Sequence, residues 1–406
     1  MQKWLLGFVG LLWSGFVQSQ KNVSHWRAEL LRGDGKNIVF NLQIVQQAGK
    51  TVWYVINGAE KIKIDKVRTK GDSVWVDMPV FESAFRIRRV NKQRLEGVWI
   101  KEGAVTRLVM PFVAQVGLRE RFPEAKTTQH RIAGRWAVKF YRKDGSSRPA
   151  MAEFKQTGNS VTGSILTPTG DYRYLAGVID GDSLRLSTFD GSHAYYFTAA
   201  VDNDHTIRSG YFYASATGVE PWEAVRDANA SLPDLAAMYL KDGEEKLNFR
   251  FRDLNGKWVS INDERFRNKV VIVQIMGSWC PNCMDETAFL SSYYKQNRQR
   301  GVEVVGLAYE YSEDWNRSKA SVQKFKDRFD VQYPLLITGV TVNDSLRTEK
   351  TLPQLTPIRS FPSTIFINKK GAVVKIHAGF AGPGTGQHYE NLKKEFNATV
   401  DALLKQ

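Results

Sequence analysis

Two cysteines stand in 406 residues, and they are neighbours: Trp279-Cys280-Pro281-Asn282-Cys283. No third cysteine can pair with either, so any fold open to this chain must be held by apolar cores. A bond between the two would close a loop of only four residues. Such a loop constrains the unfolded chain very little. The pair therefore reads as chemistry rather than as a staple. It follows the apolar run Val270–Met276 and precedes a helix-like stretch from Met284 to about Arg300. Strand, tight turn and helix is the setting in which C-x-x-C acts as a redox dithiol.

The material for cores is ample, at 42% apolar and 12% aromatic residues, and the length predicts about two to three domains. The first half repeats itself. Gly71-Asp72-Ser73-Val74-Trp75-Val76 recurs as Gly181-Asp182-Ser183-Leu184-Arg185-Leu186, Trp26-Arg27-Ala28 as Trp136-Ala137-Val138, and Pro111-Phe112-Val113-Ala114 as Pro221-Trp222-Glu223-Ala224. All three pairs are 110 residues apart, which argues for a tandem duplication of a small domain. Short β-type runs punctuated by Asn57-Gly58, Asp144-Gly145, Asp180-Gly181 and Asp190-Gly191 predict two all-β repeats, sandwich or barrel-like, over 24–115 and 134–226. Trp26, Trp75, Trp99, Trp136 and Trp222 are expected to fill their cores.

A linker, 227–239, follows, with a short helical turn expected over Leu235–Leu240. From 240 to 406 the texture is α/β. Val270–Met276 and Val302–Ala308 read as buried strands, and Asn316–Phe329 and Tyr389–Leu404 as helices. Thr364–Ile367 and Val373–Ile376 read as a hairpin about Lys370-Gly371. The glycine-rich Ala381–Gly386 lacks the ending of a phosphate loop and is expected to be a flexible loop near the active face.

Lys3 followed by the apolar Trp4–Val17, with Val17-Gln18-Ser19 as a small-residue cleavage site, reads as a signal peptide over 1–19. No cysteine lies at that boundary, which argues against a bacterial lipoprotein; an uncleaved anchor is the alternative. The expected address is export, to the bacterial periplasm. The net charge of +15 is scattered, and Arg86-Ile87-Arg88-Arg89 reads as the solvated face of a strand. With no nucleic-acid-binding motif, no nucleic-acid partner is expected.

Cys280 at a helix N-terminus is the expected attacking thiol, since the dipole and free N–H groups there stabilise a thiolate. Pro281 suits the first turn because it needs no N–H donor. Cys283, one turn further in, is the expected resolving thiol, which breaks a mixed disulfide with the partner. Trp279 is expected to cover one side of the sulfurs. No cofactor is expected beyond the Cys280–Cys283 disulfide, and no metal, because no His stands at ligand spacing from the pair. A binding or chaperone-like protein, led by its β half with the dithiol secondary, is the alternative reading.

With Gly277-Ser278-Trp279-Cys280-Pro281-Asn282-Cys283 and Ser360-Phe361-Pro362-Ser363-Thr364-Ile365-Phe366-Ile367-Asn368 in place, residues 240–406 resemble the thioredoxin-like superfamily. More narrowly they resemble the TlpA/ResA group of exported thiol-disulfide oxidoreductases. The resemblance implies a cis Pro362 that holds Phe361 against the dithiol and pairs with an extended substrate segment. It implies disulfide-bearing protein substrates, and a reductase fed by a membrane thiol donor. Thioredoxins carry a buried Asp six residues before the first cysteine; here Gln274 stands there. The group uses a glutamate from elsewhere, for which Glu310 is the first candidate, at the end of the Val302–Ala308 strand, and Glu286 the rival.

Overall fold

The computed structural model describes residues 22–47, 49–235 and 237–406. The expected signal peptide over 1–19 lies outside the described residues.

Nine antiparallel strands come first: β1 (Asn22–Leu30), β2 (Ile38–Gln47), β3 (Lys50–Asn57), β4 (Glu60–Ile64), β5 (Val67–Lys70), β6 (Ser73–Asp77), β7 (Ser83–Arg89), β8 (Arg94–Glu102) and β9 (Arg107–Val116). They form one curved sheet in the order β4-β3-β2-β1-β9-β8-β7-β6-β5. Alternation decides what enters its core. β7 buries Phe85 and Ile87 and turns Arg88 and Arg89 to solvent. β6 buries Val74 and Val76, so Trp75, expected in the core, lies on the opposite face and is only half-buried. Gly58 and Gly71 supply the positive φ that two of the tight turns require.

A second set follows: β10 (Gly134–Tyr141), β11 (Ser147–Thr157), β12 (Ser160–Thr167), β13 (Gly170–Asp171), β14 (Leu175–Asp180), β15 (Ser183–Phe189), β16 (Ala194–Asn203), β17 (Thr206–Ala214) and β18 (Gly218–Arg226). Their order is β11-β10-β18-β17-β16-β15-β14-β12-β13, and a β11–β12 ladder closes the sheet into a barrel. Trp26 of β1 faces Val116 of β9, and Trp136 of β10 faces Arg226 of β18. Trp99 is enclosed in the first core, and Trp136 and Trp222 in the second. The two are not beads on a string. Phe189, at the end of β15, stacks on Phe40 of the first sheet with ring centroids 4.3 Å apart and stands edge-on to Trp99 at 5.3 Å. The Asn57 side-chain amide donates to the Phe189 carbonyl at 2.8 Å.

The rest is a seven-stranded sheet with helices on it. Its strands are β19 (Arg250–Asp253), β20 (Trp258–Ser260), β21 (Val270–Met276), β22 (Val302–Ala308), β23 (Leu335–Ile337), β24 (Ser363–Ile367) and β25 (Val373–Ala378), in the order β20-β19-β23-β22-β21-β24-β25. The helices are α1 (Pro281–Asn297), α2 (Trp315–Phe329), α3 (Arg347–Thr351) and α4 (Gln387–Leu404). Every residue of β21 is buried, which is why its apolar run has no alternation. β21 runs parallel to β22 and antiparallel to β24. Leu240 forms an isolated bridge with Leu355 where the end of a helical turn was expected. Among the described residues, no helix is long and apolar enough to cross a membrane.

Candidate active site

β21 ends at Met276, and Gly277-Ser278-Trp279 turns the chain into α1. That turn is tight: a Cβ at Gly277 would meet the Trp279 indole nitrogen at 2.2 Å. Cys280 caps the helix, its Sγ accepting the Cys283 N–H at 3.2 Å, and Pro281 is the first helical residue. The helix therefore starts on the sulfur expected to attack, where its free N–H groups favour a thiolate. Both cysteines are free thiols. Cys280 keeps 5% of its surface and Cys283 none. Burial first, then the bond to Cys280 and that neighbour's charge, push the Cys283 thiol well above its usual range. The pair is thus asymmetric, with the shielded thiol the more reluctant to ionise.

The Phe361–Pro362 peptide is cis. The Cys280 thiol donates to the Phe361 carbonyl at 3.5 Å, so the backbone just before Pro362 reaches the sulfur. Trp279 stacks on Tyr311 at 5.3 Å, meets Phe361 edge-on at 5.5 Å and donates its indole N–H to the Tyr309 carbonyl at 2.8 Å. The expected positioning residues Trp279, Pro281, Phe361 and Pro362 are therefore assembled around one dithiol.

The two candidate glutamates are both buried, and burial pushes both carboxyls up to about 7. Their company differs. Glu310 accepts the N–H and the hydroxyl of Ser278, one on each oxygen, and so ties the turn before the dithiol to the end of β22. Glu286 accepts from the Gln274 amide at 2.8 Å and from the Thr364 hydroxyl, and its charge contributes to raising the Cys283 thiol. Gln274 thus sits where the thioredoxin acid is expected and hands a hydrogen bond to a carboxyl reached from α1. Among the described residues, no three His, Cys, Asp or Glu side chains converge on a possible metal position.

The β half lies directly on this face, which no spacing in the sequence indicates. The Ser192 hydroxyl donates to the Trp279 carbonyl at 3.1 Å, and the Asn282 amide donates to the Asp171 carbonyl at 3.3 Å. Ser360, two residues before the cis proline, donates to the Thr169 carbonyl at 3.3 Å. Gly379 lets the backbone of Thr169 come close: a Cβ there would meet it at 3.1 Å. The Ala381–Gly386 segment, expected to be a flexible loop near the active face, is packed at this junction, with the Gly382 N–H donated to Asp171 at 2.7 Å. From the first β unit, Glu82 pairs with Arg317 of α2 at 2.8 Å.

Comparison with known proteins bears on the C-terminal part. Residues 243–376 match the AhpC/TSA family. The thiol-disulfide oxidoreductase ResA of Halalkalibacterium halodurans is 30% identical over 138 residues, which span 34% of this chain and 68% of that protein. ResA of Bacillus subtilis is 27% identical over 155 residues, 38% of this chain and 77% of the relative. A solved thiol:disulfide interchange protein of the thioredoxin family from Chlorobium tepidum is 20% identical, with a TM-score of 0.30 over 40% of this chain and 99% of its own.

Proposed function

The chain belongs to the thioredoxin-like, ResA/TlpA-type thiol-disulfide oxidoreductases, and on that premise we propose that it reduces disulfides in exported proteins through a Cys280–Cys283 dithiol. Its enzymatic class and its class of substrate, disulfide-containing proteins, follow from that membership. The observation that carries the mechanism is the asymmetry of the pair: Cys280 caps α1, and Cys283 is enclosed with its thiol pushed up.

Cys280 attacks a substrate disulfide as the thiolate, one substrate sulfur leaves, and a mixed disulfide forms. Cys283 then loses its proton and attacks Cys280, releasing the second substrate thiol and closing the protein disulfide. Two carboxyls stand ready to exchange that proton near neutrality. Glu286 has the more direct claim because its charge is felt by Cys283; Glu310 acts on the Ser278 turn and remains the second site to test. The Phe361 carbonyl and Pro362 hold the extended substrate, Trp279 and Pro281 wall the sulfurs, and no cofactor or metal takes part.

The proposed setting is the bacterial periplasm, reached by a cleaved signal peptide, with a membrane thiol donor returning the dithiol to the reduced state. The proposed organisation is a β repeat over 24–115, its tandem copy over 134–226, a linker over 227–239 and the redox domain over 240–406. Supporting the duplication, β1, β2, β3, β6, β7, β8 and β9 each recur about 110 residues on, as β10, β11, β12, β15, β16, β17 and β18. Catalysed reduction of a protein disulfide by a dithiol donor tests the central assignment. Cys280→Ser and Cys283→Ser should each reduce it to the uncatalysed rate; a Cys280→Ser variant with undiminished turnover would refute it.

A further inference from the structure

Where the second barrel meets α1, one guanidinium is enclosed by carboxylates. The Arg173 side chain is 1% exposed. It pairs with Glu60 of the first sheet, with Asp190 at 3.4 Å, and with Asp285, two residues past Cys283 on α1. Its Nη1 also donates to the Pro281 carbonyl at 3.2 Å, inside the C-x-x-C segment itself. Asp171 accepts the Arg173 backbone N–H, and His193 lies 3.3 Å from Asp190. Three parts of the chain therefore converge on the turn of helix that carries the dithiol.

A docking contact does not need such a group. Burying a charge is costly unless it is fully met, and apolar packing of the same volume serves adhesion as well or better. The chain also departs from its own pattern to place this residue. Lys63, 110 residues earlier, lies in the regular strand β4 opposite Tyr54. Its side chain is 48% exposed and paired with Asp65 on the surface. In the second barrel the matching strand stops at Asp171, and Arg173 adopts a left-handed φ of 56°, costly for a residue with a side chain.

We propose that Arg173 is a positioning residue of the redox site: it fixes the first turn of α1 and supplies the fixed positive charge that balances Asp285 beside the dithiol. The second barrel on this account completes the active site and sets how readily it is oxidised. Without Arg173, the carboxylates of Glu60 and Asp190 face the helix start uncompensated, and the Asp285 carboxyl, which burial already pushes up to about 7, holds its proton more tightly. A thiolate on Cys280 then becomes harder to form, the reduced state loses stability, and the disulfide is favoured. Removing Asp285 instead works in the opposite direction.

This rests on Cys280–Cys283 being the redox pair, and one titration of the full chain separates the two claims. In glutathione buffers the dithiol passes two electrons to glutathione disulfide, giving the protein disulfide and two glutathione thiols. Arg173→Gln should raise the equilibrium constant of that oxidation at least about threefold and raise the Cys280 thiol titration. Arg173→Lys should recover most of the change, and Asp285→Asn should shift both readouts the other way. A folded Arg173→Gln protein with the parent's constant and thiol titration overturns the proposal. Should Arg173→Gln fail to fold, parent values in Asp285→Asn overturn it equally. A parent protein that exchanges no electrons with glutathione sinks the underlying redox reading instead.

Discussion

Glu286 and Glu310 are carboxyls that folding makes harder to ionise, and that has a consequence for stability. Each has its pKa raised by burial from 4.5 to about 7. In the native state each therefore keeps its proton over a pH range in which the unfolded chain has released it. Stability falls as pH rises from about 4.5 through about 7, and flattens above, by up to about 3 kcal/mol for each group. Denaturant titrations at pH 5 and pH 8 should show that loss, and Glu286→Gln should remove about 3 kcal/mol of it. An unchanged pH slope in Glu286→Gln would mean that its carboxyl is not held protonated. At this scale the sequence was half legible. The dithiol, Pro362 and the absence of an acid at Gln274 can be seen in local motifs. The choice between the two glutamates cannot, because the Thr364 hydroxyl that meets Glu286 comes from 78 residues away. Trp75 shows the complementary failure: its type suits a core, but its parity in β6 places it outside.

Among elements, α1 and β21 were legible because both are long and have strong local signals. A continuous apolar run marks a buried strand, and Pro281 marks a first helical turn. β23 and α3 were not, since three and five residues cannot display a period. The β13–β14 connection was also hidden, although it is what the barrel lays against α1. Gly170 makes that approach possible. Its φ is +152°, and an added Cβ would meet the Asn282 side-chain oxygen at 2.5 Å. Gly170→Ala should therefore loosen the junction without touching either sulfur, costing about 1–3 kcal/mol as an overpacking change. Thermal unfolding of the full chain checks the loss; an unaltered melting temperature would show that the contact has room to give.

Across the whole molecule, the proposed duplication rests on three short matches that share one offset, while the packing of the two β units on each other and on the redox domain was not legible. Phe189 filling the first core and Arg173 entering the redox site are contacts between distant parts of the chain. The β half covers the face on which the dithiol opens, leaving Cys280 with 5% of its surface. The central claim is that this narrow opening exposes one attacking thiol, with its resolving partner beneath. Intact-mass analysis of Cys283→Ala, incubated with a disulfide-bearing peptide, tests it directly. The account predicts a stable adduct of one peptide thiol on Cys280, absent from Cys280→Ala. An adduct that forms equally on Cys283 in the Cys280→Ala protein, or none in either, would contradict it.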